Sequence, residues 1–239
     1  MKLMKTSHNN TNKYSMLTTA LFIGVSLILP LIESSTSINY GMRSLIKSVL
    51  FISIPLLMSR IDVSVSIQDF LRFQKETLYK SFMLGILIYI SIVVGFTLIQ
   101  PLLSLDTIKA SLLSNVSVDK ENFLYVALYI TFINSWIEEF FFRGFGYFSI
   151  KHKTSRKKSM FLSSLLFALY HISIVRDWAH PILVGLSIVG LFFVGIFFIL
   201  LNESNQSIYP SWIVHMFANL AINTIGLHMF GFIHLPFLL

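Results

Sequence analysis

The chain has 239 residues, of which 55% are hydrophobic and only 12% charged, with a mean hydropathy of +0.75. Soluble domains carry about 25% charged residues, so a water-facing surface is excluded and a polytopic membrane protein is indicated. The formal charge of +7 does not point to nucleic acid, because the basic residues lie between apolar runs rather than along one amphipathic face, and the lack of cysteine excludes disulfides, thiolate metal sites and a cysteine nucleophile.

Apolar runs occur at Leu17–Ile32, Leu45–Met58, Phe82–Leu103, Phe123–Ile137, Met160–Val175, Ile182–Leu201 and Ile208–Leu227. A spanning helix needs about 20 apolar residues, so the runs predict an all-α polytopic bundle of about seven transmembrane helices, six to eight being compatible. The first run is followed by Glu33 to Ser37 without a small-x-small cleavage site, which reads as a retained anchor. The second run is short and holds Pro55; it spans if it begins near Tyr40, with Arg43 and Lys47 snorkelling to the interface. Between the second and third runs, Ile67, Phe70, Leu71, Gln74 and Leu78 have helical spacing. Residues 67–80 therefore form either an amphipathic helix on the inner leaflet or a loop extending the next span.

Basic residues set the orientation. Lys2, Lys5 and Lys13 precede the first run, Arg60, Arg72, Lys75 and Lys80 follow the second, and Lys151, Lys153, Arg156, Lys157 and Lys158 follow the fourth. These segments are expected in the cytoplasm. The loop 104–122 and the stretch after Val175, with only Arg176 and Asp177, are expected outside, giving a cytoplasmic N-terminus and an external C-terminus in the cell membrane. The Asn-x-Ser/Thr triplets at Asn9, Asn115, Asn202 and Asn205 carry no functional reading. No linker divides residues 1–239, which read as one integral membrane domain.

Three polar patterns stand in the apolar runs: Glu138-Glu139-(x3)-Arg143, Phe167-(x3)-His171 and His215-(x3)-Asn219. An Asp, Lys or Arg at a helix centre costs roughly 2.5–3.5 kcal/mol on insertion scales, so such groups mark function. Glu139 and Arg143 share a helical face and can pair, leaving Glu138 directed elsewhere as a candidate general base. His171 and His215 both fall at membrane depth, where each is a hydrogen-bonding residue, a base or a metal ligand. Asn219 is one turn beyond His215, so the two can aim donors at one oxyanion. Glu138, His171 and His215 also match the three protein ligands of a catalytic zinc. The placement of Asn219, a poor zinc ligand, favours hydrolysis without a metal, and the cofactor stays open between the two.

The three ordered motifs, with surroundings Glu138 to Phe145, Ser163 to His171 and Ser207 to His215, resemble the CPBP family of intramembrane proteases. This family, also called Abi or CAAX proteases, includes prenyl-protein endopeptidases and bacterial bacteriocin-processing or immunity proteins. The resemblance implies a catalytic core over residues 121–228, with residues 1–120 carrying helices without a signature. It further implies that Glu138 activates water with help from His171, that His215 and Asn219 stabilise the oxyanion, and that Glu139 and Arg143 support them. The implied partners are membrane lipids and a membrane-associated protein or peptide, cleaved near the cytoplasmic leaflet. Rival readings are a non-catalytic interaction or immunity protein and a proton-coupled transporter. No His-Glu-x-x-His, Gly-x-Ser-x-Gly or intramembrane aspartate pair is present to suggest another protease class.

Overall fold

The computed structural model describes residues 2–35, 37–100, 105–113, 118–176 and 181–235, with side chains from residue 14 onward except 111 and 183. Leu103, Ser104, Asn115 and Asp177 lie outside the described residues, as do the side chains of Lys2, Lys5, Asn9 and Lys13. Every regular element among the described residues is helical. In chain order they are α1 (Lys2–Glu33), α2 (Tyr40–Ile61), α3 (Ile67–Phe70), α4 (Lys75–Ile99) and α5 (Leu105–Ser111), then α6, a continuous helix over 123–151. There follow α7 (Arg156–Tyr170), α8 (Ile172–Val175), α9 (Pro181–Glu203) and α10 (Tyr209–Met229).

Among the described residues, five segments are long and apolar enough to cross a membrane: Tyr14–Glu33, Tyr40–Ile61, Lys75–Ile99, Arg156–Val175 and Val184–Glu203. The protein is an all-α multi-pass membrane protein. The other two runs expected to span, Phe123–Ile137 and Ile208–Leu227, fall in helices α6 and α10, which interrupt their apolar residues with polar ones and are not among these five. The second span does begin at Tyr40, where the Asn39 side chain accepts from the Met42 amide at 2.9 Å and caps the helix.

Arg43 and Lys47 do not snorkel. They are 3% and 5% exposed, because the end of α1 supplies partners: Lys47 Nζ stands 3.3 Å from Glu33 Oε1, and Arg43 Nη1 donates to the Glu33 carbonyl at 2.5 Å. A helix C-terminus leaves carbonyls unsatisfied, and a cation from the next helix is a natural partner. The stretch 67–80 is also not an amphipathic surface helix. Only Ile67–Phe70 is helical before α4 starts at Lys75. Phe70 is buried against Phe140 and Phe148, in a space where any side chain at Gly144 would strike its ring. The Ile208 amide donates to the Phe70 carbonyl at 3.0 Å, tying this insertion to the start of α10.

Helix α10 lies along α4, and α7 lies between α1 and α9. Gly195 lets α9 approach the backbone of Ser164 in α7, since a Cβ there would sit 2.9 Å from Ser164 Cα. Aromatic rings fill the centre. Phe51 of α2 stacks on Phe141 of α6 with centroids 3.9 Å apart, while Phe22 of α1 packs on Phe141, Phe142 and Phe145. Ion pairs fasten the ends of helices. Asp62, just after α2, takes hydrogen bonds from Lys153 and Thr18, and Glu203 at the end of α9 pairs with Arg156 and Lys151.

Candidate active site

Helix α6 is not a regular α-helix. It alternates Phe123–Leu128 in α form, Tyr129–Asn134 in π form, Ser135–Glu138 in α form, and Glu139–Phe148 in π form before Ser149–Lys151 closes it. π turns bond i to i+5 instead of i+4, and are frequent at functional sites. Helix α10 stitches this irregular backbone. Asn219 Nδ2 donates to the Ile130 carbonyl at 3.1 Å, and Asn223 Nδ2 donates to the Ala127 carbonyl at 3.0 Å and to Thr131 Oγ1 at 2.9 Å.

Glu138, His171 and His215 come together at the level of the central α segment. Glu138 is 2% exposed. Its Oε2 stands 3.8 Å from His171 Nε2 and 3.9 Å from His215 Nε2. His171 is the residue at which α7 ends, and its Nδ1 is 2.8 Å from the Phe167 carbonyl. His215 Nδ1 is 3.0 Å from Glu139 Oε1. A carbonyl and an ionised carboxylate only accept hydrogen bonds, so both rings donate from Nδ1. In their neutral forms both therefore turn a bare Nε2 lone pair toward Glu138. Three bare acceptors cannot satisfy one another, so a hydrogen is needed between them, carried by a water or by one of the Nε2 atoms.

Glu139 organises the other side. It is fully buried, and pairs with Arg143 Nη1 at 3.0 Å as the four-residue spacing indicates. Its Oε2 also accepts from Ser211 Oγ at 2.5 Å. Ser211 is held in turn by Asn202, whose Nδ2 donates to Oγ at 2.7 Å and whose Oδ1 accepts from the Ser211 amide at 3.0 Å. The Arg143 guanidinium lies 4.0 Å from the centroid of the Phe167 ring and 5.0 Å from that of Phe198, a desolvated cation–π arrangement. Phe167 thus serves twice: its ring covers Arg143 and its carbonyl fixes the tautomer of His171.

The sequence reading gave Asn134, Ser211 and Asn202 no role in the site. Asn134 Nδ2 donates to Glu138 Oε1 at 2.7 Å. A signal was available, since Asn134 and Ser211 stand one helical turn before Glu138 and His215. Lys47, read as an interfacial anchor, lies within electrostatic reach of Glu138.

The donor types match a His2Glu zinc set, and both imidazoles have the Nδ1 hydrogen bonds usual for metal ligands. The spacing does not fit. Zinc bonds of about 2.0–2.2 Å put tetrahedral ligand atoms roughly 3.4 Å apart, closer than the 3.8 and 3.9 Å separations here. Among the described residues no group of three His, Cys, Asp or Glu has metal-holding geometry.

These features define a multi-pass helical membrane protein in which one buried carboxylate faces two imidazoles. Residues 120–221 match the family described as type II CAAX prenyl endopeptidase, Rce1-like. The match covers less than half of the chain but includes all three motifs, and this segment is similar to that protease family, in agreement with the motif resemblance. No curated protein and no solved structure matches the chain.

Proposed function

We propose that this chain is an intramembrane endopeptidase that hydrolyses a peptide bond in a membrane-associated protein or peptide near the cytoplasmic leaflet. The convergence of His171 Nε2 and His215 Nε2 on Oε2 of the buried Glu138 carries this reading. A water held among these atoms loses a proton to Glu138 as its oxygen attacks the scissile carbonyl carbon. His171, its tautomer set by the Phe167 carbonyl, orients that water.

The carbonyl oxygen becomes an oxyanion. Asn219 commits one amide hydrogen to Ile130 and gives its second to the oxyanion. His215, carrying hydrogens on both nitrogens throughout the cycle, donates from Nε2, with Glu139 accepting from Nδ1. Glu138 then passes its proton to the leaving amine, the C–N bond breaks, and the carboxylate is regenerated. No step is routed through a metal.

The family's description makes a prenylated carboxy-terminal peptide the first substrate to test. Purified protein in liposomes is offered a farnesylated fluorogenic CAAX-type peptide and a panel of transmembrane peptides, beside Glu138→Gln. Cleavage by the wild type that falls at least a thousandfold in Glu138→Gln, with an unchanged melting temperature, is the expected result. Equal cleavage by both removes Glu138 as the base, and no cleavage of any peptide by folded wild type overturns the endopeptidase reading.

A further inference from the structure

Asn134 is 7% exposed, and its Nδ2 gives a 2.7 Å hydrogen bond to Glu138 Oε1. An ionised carboxylate offers no hydrogen, so the amide must turn its NH2 group toward Glu138 and its oxygen away. That oxygen, Oδ1, is buried without a hydrogen-bond partner. Buried polar atoms are nearly always paired, and an orphan calls for an explanation. An apolar residue at position 134 would avoid the orphan, so what the amide contributes lies at its other end, the bond to Glu138.

The backbone supports the same conclusion. Asn134 closes the first π run, and Ser135–Glu138 is a single α segment before the second π run begins at Glu139. An α turn sets residues i and i+4 on one face, which places Asn134 beside Glu138. With continued i to i+5 spacing, residue 139 would take that place. The α segment thus keeps two adjacent glutamates in separate environments: Glu138 with Asn134 and the Nε2 atoms, Glu139 with Arg143, Ser211 and the Nδ1 of His215.

The two oxygens of Glu138 are likewise distinct, Oε1 held by the amide and Oε2 facing both imidazoles. We propose that Asn134 is a positioning residue of the peptidase site: by holding Oε1 it fixes the rotation of the Glu138 carboxylate and leaves Oε2 as the one oxygen that takes the proton from the attacking water. This rests on the reading of Glu138 as the general base.

Two variants without the donor, Asn134→Leu and Asn134→Val, are compared with wild type by two measurements. With a peptide that the wild type cleaves in the liposome assay, kcat should fall roughly ten- to a hundredfold, the value of one hydrogen bond to a charged group. KM should stay within about twofold, because the bond acts on the base and not on substrate binding. The second measurement needs no substrate. Dicyclohexylcarbodiimide adds to protonated buried carboxyls, and mass spectrometry of Glu138 follows the rate. Without the amide, Glu138 should label several-fold faster in Asn134→Leu while the protein stays folded.

Unchanged kcat in both variants, or a raised KM alone, overturns the proposal, as does a labelling rate equal to wild type. If wild type cleaves no peptide, the endopeptidase reading falls and the labelling rate alone decides whether Asn134 holds Glu138. If Asn134→Leu does not fold, the smaller Asn134→Val decides through kcat and KM, where wild-type values overturn the proposal.

Discussion

Replacing Arg143 by methionine tests whether the Glu139 hub depends on its cation. Both side chains are fully buried, with Nη1 and Oε1 3.0 Å apart. Removing one member of such a pair strands the other charge and costs roughly 3–5 kcal/mol. Loss of the contacts with Phe167 and Phe198 acts in the same direction. A partial offset arises because Arg143 Nε and Nη2 are buried without hydrogen-bond partners, and methionine removes that penalty of about 1–3 kcal/mol. Ser211 and His215 still donate to Glu139, so the expected net loss is about 2–4 kcal/mol. Equilibrium unfolding in mixed micelles, followed by tryptophan fluorescence, measures it. The double variant Glu139→Gln/Arg143→Met leaves no uncompensated charge and should recover about half of the loss, a coupling typical of residues in one network. A single variant within about 0.5 kcal/mol of wild type, the range of an ordinary surface substitution, would refute the hub.

Asp62 should make stability sensitive to acid. Burial alone would raise its carboxyl, but hydrogen bonds from Lys153, Thr18 and Ser64 outweigh this and hold it below its ordinary value of 3.8. Its contribution is therefore complete above the unfolded value and disappears as pH falls through the lower folded one; melting temperatures between pH 7 and pH 3 should drop below about pH 4, and less so in Asp62→Asn. For orientation, a membrane-impermeant maleimide should label Lys157→Cys only from the cytoplasm and Glu121→Cys only from outside, and the opposite pattern would reverse the proposed topology. At the α4–α10 contact, a Cβ at Gly85 meets the Phe217 ring, so Gly85→Ala should cost about 1–3 kcal/mol of stability by overpacking; an unchanged melting curve would show that the two helices do not pack there.

Helices α1, α2, α4, α7 and α9 were legible because length and apolarity determine a membrane span whatever its neighbours. The fates of Arg43 and Lys47 were not, since their partner is Glu33 on the preceding helix and only the tertiary packing of α1 against α2 brings them together. The π turns of α6 had no sequence signal: Phe140, Phe141, Phe142, Phe145 and Phe148 are apolar at every phase, so no period distinguishes i+5 from i+4.

The motif spacings were legible, but they carry different meanings. In Glu139-(x3)-Arg143 the four-residue step is a side-chain ion pair, and in Phe167-(x3)-His171 it is a carbonyl fixing an imidazole; in both, a group one turn earlier or later on the same helix sets the functional one. His215-(x3)-Asn219 works between helices. Asn219 and Asn223, one turn apart on α10, grip the carbonyls of Ile130 and Ala127 on α6, while His215 reaches Glu139 farther along the same helix. Helix α10 thus binds α6 on both sides of the α segment that carries Glu138. The polar residues that make α10 a poor membrane span are the ones that hold the π-helical backbone in place, so its apolarity is given up for the geometry of the site.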